Sequence, residues 1–245
     1  KHGAEDILIK ITAVNRGPEE SELHVLPTLW FRNDWSAWIA DSNRAASKPL
    51  LSQSKGSANT STLTASHSLL GDFIFSCEGD VPLLFTENET NHEKLFPGTK
   101  NESPYVKDGI NDYVVQGNPS VVNPEKKGTK ASAHYDIKIG AGQTSVIRVR
   151  LTKAPVESKA NPFGKNFDKV FEDRIKEADE FYKSVTPPSV SADQANVMRQ
   201  ALAGMLWSKQ FFFFDGDNWL DEHNSNPLHS GFHQARNSEW YHMLN

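Results

Sequence analysis

Hydrophobic and polar residues alternate in short segments up to about residue 155, and this period of two predicts β-strands. Ile7, Ile9 and Ile11 share one face before an Asn-Arg-Gly-Pro turn, and residues 21–33 are expected to pair back as a hairpin. A second hairpin is predicted over residues 134–151, where Gly140 and Gly142 provide a tight turn. Many short strands with Gly and Pro turns favour an antiparallel β-sandwich.

A long segment without a strand period, residues 88–130, interrupts these strands. It is not of low complexity, and apolar residues such as Phe96, Tyr105, Ile110 and Tyr113 would anchor it. We therefore interpret it as an ordered excursion. Two roles are open: it shapes a ligand cleft, as functional loops on a rigid scaffold do, or it packs against a neighbouring domain.

The hydrophobic period changes to that of a helix after Pro155. Residues 166–185 carry one apolar face, and Pro187 with Pro188 ends the helix. Ser191 and Gln194 have the spacing of a capping box that starts a second helix. The sequence thus predicts a partial β-sandwich domain over residues 1–155, a linker helix over 156–190 and a further helical domain over 191–245.

The composition of the chain argues against two kinds of partner, nucleic acids and membranes. The 245 residues carry a net charge of −5 with no basic stripe, which argues against a nucleic-acid partner. No apolar run approaches the ~20 residues needed to span a bilayer, so no membrane partner is expected. Cys77 is the single cysteine and is interpreted as a small apolar strand residue.

The acids and histidines near the end of the chain do not form a known metal or cofactor motif. Asp215, Asp217 and Glu222 do not have the spacing of a calcium loop. His229 and His233 lie four residues apart without a helical HExxH pattern. There is no P-loop and no dinucleotide fingerprint. We predict no metal and no organic cofactor.

Two aromatic segments are candidates for sugar binding. Trp30, Phe31, Trp35 and Trp38 lie close together, and they form either a sugar platform or a core or interdomain surface. Residues 233–245 mix Arg, Asn, Glu, Trp and His, which suits hydroxyl-rich or anionic ligands, or else forms a solvated tail.

Several stretches resemble bacterial family 63 glycoside hydrolases, relatives of the processing mannosyl-oligosaccharide glucosidase. They are "AEDILIKITAVNRGPEESELHVLPTLWFRNDWSAW", "LLFTENETN", "SPYVKDGINDYVVQG", "VNPEKKGTKASAHY", "GAGQTSVIRVRL", "MRQALAGMLWSKQFFFFD" and "RNSEWYHMLN". They follow one another in the family's order and span nearly the whole chain. The resemblance implies a mixed fold, β then α: an antiparallel β-sandwich followed by helices that begin an (α/α)6 toroid. Residues 156–190 would link the two, and residues 191–245 would start the toroid.

The resemblance also implies an activity. Such enzymes are α-glucosidase-like and hydrolyse oligosaccharides with inversion, one carboxyl group protonating the leaving oxygen and another activating water. The family's catalytic acid and base motifs do not occur before Asn245. The chain would therefore be an inactive fragment with no catalytic residue of its own. Its expected partners are an oligosaccharide or small glycoside and the remainder of its own toroid, and its expected location is the cytoplasm.

Seven residues are candidate sugar contacts, with the aromatic rings stacking on sugar and the polar groups hydrogen-bonding hydroxyls or a carboxylate: Trp207, Gln210, Phe213, Trp219, Arg236, Asn237 and Trp240. Two alternatives remain open. The parent could be a glycosylglycerate or trehalose hydrolase of the same fold. The chain could instead be a non-catalytic carbohydrate-binding sandwich.

Overall fold

The computed structural model describes residues 2–33, 35, 47–153, 161–209, 213–231, 233–234 and 242–244. The chain divides into two compact units, Lys1–Ile175 and Lys176–Asn245. The domain boundaries predicted from the sequence stay predictions. No helix among the described residues has both the length and the apolar character needed to cross a membrane.

The first unit is built mainly from strands. The described strands are β1 (Asp6–Val14), β2 (Ser21–Val25), β3 (Thr28–Trp30), β4 (Leu50–Ser54), β5 (Thr60–His67), β6 (Gly71–Glu78), β7 (Leu83–Thr86), β8 (Lys127–Gly128), β9 (Lys130–Ala133), β10 (Tyr135–Ile139) and β11 (Thr144–Lys153). Between β7 and β8 lie α1 (His92–Leu95), α2 (Gly109–Gln116) and a 3-10 turn (Pro119–Val121). Helix α3 (Lys165–Val185) begins in this unit.

A shared hydrophobic core joins two antiparallel sheets of this unit. One sheet has the order β1-β11-β6-β5-β4-β8, and the other has the order β3-β9-β7. Alternate residues of each strand point to the core because side chains alternate across a sheet. The buried core residues are Leu51, Leu63, Ala65, Phe75, Cys77, Leu83, Phe85, Ala131, Ala133, Tyr135, Ile147 and Val149.

The strands β2 and β3 form one long ribbon with β9 and β10. Val25 lies opposite Tyr135 and Thr28 lies opposite Ser132, so the register continues across the interruption. Pro27 causes the interruption because it has no N–H to donate to the ladder. Its carbonyl still accepts the Ala133 N–H at 3.1 Å. The residues of this ribbon that alternate with the core residues form its outer face.

The excursion covers part of that outer face. Leu84 of β7 packs with Ile110 and Val122 in a second small core. Gly109 starts α2 in close contact with the chain, because a Cβ there would lie 2.4 Å from the Val121 carbonyl oxygen. Of the two roles left open, the described contacts place the excursion against a sheet of its own unit.

Both predicted hairpins are wrong. Strand β1 pairs with β11, and β2 pairs with β10, so each predicted turn carries the chain from one sheet to another. The side chain of Asn15 holds the two turns together by donating to the Glu19 and Ile139 carbonyl oxygens, at 2.7 Å each. The period of two shows which residues of a strand share a face. It does not show which other strand pairs with it.

The second unit contains α4 (Ala192–Ser208), β12 (Phe213–Asp215), α5 (Gly216–Glu222) and β13 (His242–Leu244), with β12 paired to β13. The predicted capping box is present, since Ser191 accepts the Gln194 N–H and Gln194 accepts the Ser191 N–H. Helix α4, however, has no buried residue.

The predicted fold class, a β-sandwich followed by helices that begin an (α/α)6 toroid, is wrong. The described residues form mostly antiparallel sheets, and their few helices do not form a toroid. After α4 the described chain enters a strand and a short helix rather than a second long helix of a hairpin. A helical period predicts a helix with an apolar face, but it does not specify the architecture that this face joins.

Replacing Leu63 by Ala tests the shared core. Leu63 is fully buried, and its truncation is expected to lower the free energy of unfolding by about 2–5 kcal/mol through lost contacts and a cavity. Leu69→Ala is the matched control, because Leu69 is 86% exposed and should change little. Urea unfolding of both variants measures the difference, and equal effects would contradict this core.

The pair of Asp6 and Arg150 predicts a pH dependence. Arg150 donates to Asp6 from Nε at 2.8 Å and from Nη2 at 2.7 Å, and these hydrogen bonds hold the pKa of Asp6 below its usual 3.8. As the pH falls, Asp6 is therefore protonated in the unfolded chain at a higher pH than in the folded protein. The stabilisation is present at neutral pH and is lost as the pH falls below about 4 through the lowered pKa.

We expect Asp6→Asn to lower the free energy of unfolding at pH 7 by about 1–2 kcal/mol. The gap between this variant and the unchanged protein should close as the pH falls below about 4. Asp72→Asn, at an exposed residue of β6, is the control. Urea unfolding across pH 3–7 measures the gap, and a gap independent of pH would contradict the assignment.

Candidate functional site

Polar side chains converge where β7 ends and the excursion begins. Glu87 and Glu89 follow β7 directly, while Trp35 and Lys48 come from the segment between β3 and β4. Thr129 precedes β9. We call these five residues the Glu89 cluster. They lie at one end of the three-stranded sheet, where a buried apolar strand gives way to a loop, and loops on rigid scaffolds often carry function.

The carboxylate of Glu89 organises the cluster. Its Oε1 accepts the indole N–H of Trp35 and the ammonium of Lys48, each at 2.9 Å, and its side chain is only 9% exposed. Lys48 also lies 3.2 Å from Glu87, whose carboxylate accepts the Thr129 hydroxyl at 2.7 Å. Burial acts to lower the pKa of Lys48, but the hydrogen bond to Glu89 and the two carboxylate charges outweigh it, so the pKa is raised.

Main-chain contacts fix the position of this cluster. The Asn88 N–H donates to the Thr129 hydroxyl at 2.7 Å, and the Asn88 side chain donates to the Phe31 carbonyl at 2.8 Å. The Glu87 N–H donates to the Tyr105 carbonyl at 2.8 Å. The excursion and two strands therefore hold the acids in place.

This arrangement suits binding better than proton transfer. Inverting hydrolysis needs an acid and a base with carboxyl groups about 6.5–9.5 Å apart and room for water between them. Here Glu87 and Glu89 instead share the ammonium of Lys48, at 3.2 and 2.9 Å. A fixed indole beside carboxylates and an ammonium offers both an apolar face and hydrogen-bonding groups, which a sugar ring can use together.

Four of the seven sugar contacts predicted from the sequence lie outside the described residues: Gln210, Arg236, Asn237 and Trp240. Phe213 is the first residue of β12, and its backbone pairs with Leu244. Trp207 lies near the end of α4 and is 83% exposed. Trp219 lies in α5, where its ring stacks on that of His223 with centroids 4.2 Å apart. These assignments stay predictions.

The acids around Trp219 have local structural roles. Asp215 caps α5 by accepting the Asn218 N–H at 3.1 Å. Asp221 accepts a hydrogen bond from the Asn226 side chain and lies 3.5 Å from Nδ1 of His229. Asp215 therefore stabilises the start of α5, and Asp221 stabilises the turn that follows it.

The proposed platform of four aromatic residues is not one surface in the described structure. Phe31 packs against the shared core, Trp30 is exposed, and Trp35 donates to Glu89. Trp38 lies outside the described residues. Sequence analysis missed Lys48 and Glu89 as a pair, because 41 residues separate them and no local pattern links them.

Replacing Glu89 by Gln tests the cluster. The amide is the same size but removes the charge that Lys48 and Trp35 hydrogen-bond to, and we expect a loss of about 1–3 kcal/mol in unfolding free energy. The control is Glu125→Gln, which removes the charge of an exposed pair with Lys127 and should have little effect. Equal effects in urea unfolding would contradict the organising role of Glu89.

Comparison with known proteins adds one relationship. No protein-family model matches the chain. The chain is similar to an uncharacterised protein of Saccharomyces cerevisiae, YMR196W, at 36% identity over 269 residues. This alignment covers 97% of the chain and 24% of the yeast protein, so the chain spans about a quarter of the length of the curated relative it matches.

Proposed function

We propose that the chain is a segment of a larger inverting α-glycosidase, α-glucosidase-like, that hydrolyses oligosaccharides by general acid–base catalysis. The catalytic carboxylates would be supplied by polypeptide other than residues 1–245, and the segment alone would be inactive. Two observations support this proposal. The stretches that resemble family 63 glycoside hydrolases occur in order along the chain, and the yeast relative is about four times as long as the chain.

Within that enzyme, the first unit would bind part of the sugar substrate at the Glu89 cluster. The observation that carries this proposal is the nearly buried Glu89 carboxylate, which holds the Trp35 indole and the Lys48 ammonium at 2.9 Å each. A ring fixed in this way loses little conformational entropy when it stacks on a sugar. The substrate would be an oligosaccharide or a small glycoside.

The remainder of the larger protein would cover helix α4. Large apolar side chains of this helix are exposed: Val197, Met205, Leu206 and Trp207. Several large exposed apolar side chains on one helix are typical of a protein interface. Trp207 would then serve either as a sugar contact or as a packing residue. We also propose a cytoplasmic location, which the single, buried and unpaired Cys77 supports.

A non-catalytic carbohydrate-binding role is the second candidate. It is favoured because the Glu89 cluster lies in the first unit, which has its own core. In this case sugar binding would not need any catalytic carboxylate.

The test uses the full protein that contains this segment. It would be assayed against oligosaccharides with terminal α-glucose, trehalose and glucosylglycerate, with NMR of the released anomer to detect inversion. Hydrolysis of an α-glucoside with inversion is the expected result. A preference for trehalose or glucosylglycerate would revise the substrate, and binding without hydrolysis of any glycoside would leave the non-catalytic role.

Trp35→Phe then tests the sugar contact separately. This change removes the indole N–H that Glu89 accepts, and we expect KM to rise at least about threefold with kcat nearly unchanged, because uniform binding is lost. Trp30→Phe is the control at an exposed tryptophan of β3. An unchanged KM in a folded Trp35→Phe variant would refute the contact without affecting the glycosidase assignment.

A further inference from the structure

Two histidines and two acids share the outer face of the β2–β10 ribbon, away from the Glu89 cluster. His24 lies directly opposite Asp136 in the antiparallel register. Glu22 is two residues before His24, and His134 is two residues before Asp136, so the pleat places all four on the same face. Nothing in the proposed glycosidase function uses these residues.

Their side-chain atoms converge. Nδ1 of His24 lies 3.0 Å from Nε2 of His134 and 3.6 Å from a carboxylate oxygen of Asp136. Ligand atoms of Glu22, His24 and Asp136 all lie within 4.8 Å of one another. Tetrahedral zinc with bonds of about 2.0–2.1 Å holds its ligand atoms about 3.3 Å apart. The separations of 3.0 and 3.6 Å lie on either side of this value.

The surroundings hold His134 in position. Its backbone N–H donates to the Pro82 carbonyl at 2.9 Å, and its ring and that of Tyr113 from α2 pack edge to face with centroids 5.8 Å apart. His24 packs against His134 with ring centroids 5.1 Å apart. Ligands ordered before binding cost less entropy when an ion arrives.

We propose that Glu22, His24, His134 and Asp136 bind one divalent transition-metal ion of the zinc type. Two imidazoles with two carboxylates match the preferences of zinc, whereas calcium and magnesium prefer oxygen ligands throughout. Ligand atoms of Glu22, His24 and Asp136 lie within 4.8 Å of one another, so these three residues form the firmer part of the set, and His134 extends it through its contact with His24. The ion would cross-link β2 to the chain entering β10.

The experiment is titration of the full chain with Zn²⁺ in a non-chelating buffer, followed by calorimetry. We expect one site that the double variant His24→Gln/His134→Gln weakens at least about tenfold. His229→Gln is the matched control, because His229 also lies beside an aspartate, Asp221 at 3.5 Å, but in the second unit. The control should bind Zn²⁺ as the unchanged chain does, and Mg²⁺ should not compete.

Two further measurements, of the Tm and of the NMR spectrum, test the metal site independently of calorimetry. Zn²⁺ should raise the Tm of the unchanged chain and leave that of the double variant unchanged, since a ligand of the folded state stabilises it. In NMR spectra of the unchanged chain, the ring signals of His24 and His134 should shift together on addition of Zn²⁺, even if the variant fails to fold. Equal binding by the double variant, or no shift of these two rings, would overturn the proposal and leave a simple hydrogen bond between the histidines.

Discussion

Burial of apolar side chains between the β1-β11-β6-β5-β4-β8 sheet and the β3-β9-β7 sheet is the interaction on which the first unit depends. Leu63, Phe85 and Val149 are fully buried there, and each contributes about 1.5–3 kcal/mol by leaving water. Because alternate residues must face this core, the register of β9 is set, and with it the register of the whole ribbon with β2, β3 and β10. This register in turn decides which side chains of the ribbon point to its outer face.

Both candidate sites are products of that register. A slip of one residue would turn His24 and Asp136 toward the opposite face of the ribbon and would separate Thr129 from Glu87. The excursion packs on Leu84 of β7 through Ile110. The Glu89 cluster lies at the end of the three-stranded sheet, and the histidine cluster lies on the outer face of the β2–β10 ribbon. The same buried core therefore positions a cluster suited to sugar hydroxyls and a second cluster suited to a metal ion, although neither cluster belongs to the core.

Sequence patterns predicted local structure well and long-range structure poorly. The strand period before residue 155, the helices α3 and α4 and the capping box of Ser191 all follow from neighbouring residues, and they are present. The prediction of two hairpins was wrong because the sequence of a turn does not determine which sheet the next strand joins. The prediction of a toroid was wrong because the apolar face of α4 does not specify which element packs against it. The tertiary fold brings Glu89 next to Lys48, and the pairing of β2 with β10 brings Glu22 near Asp136. Neither contact follows from neighbouring residues in the sequence.

Hydrogen–deuterium exchange measured by NMR on the full chain tests the central claim, that the excursion is a folded layer built on the core sheet. The Asn123 N–H donates to the Phe85 carbonyl at 2.8 Å, and the Thr129 N–H donates to the Thr86 carbonyl at 3.1 Å. We expect both amides to exchange as slowly as those of β7 and β9, because they open together with the strand. Exchange as fast as in a short unstructured peptide would show that the excursion does not pack on the sheet, and the Glu89 cluster would lose its support.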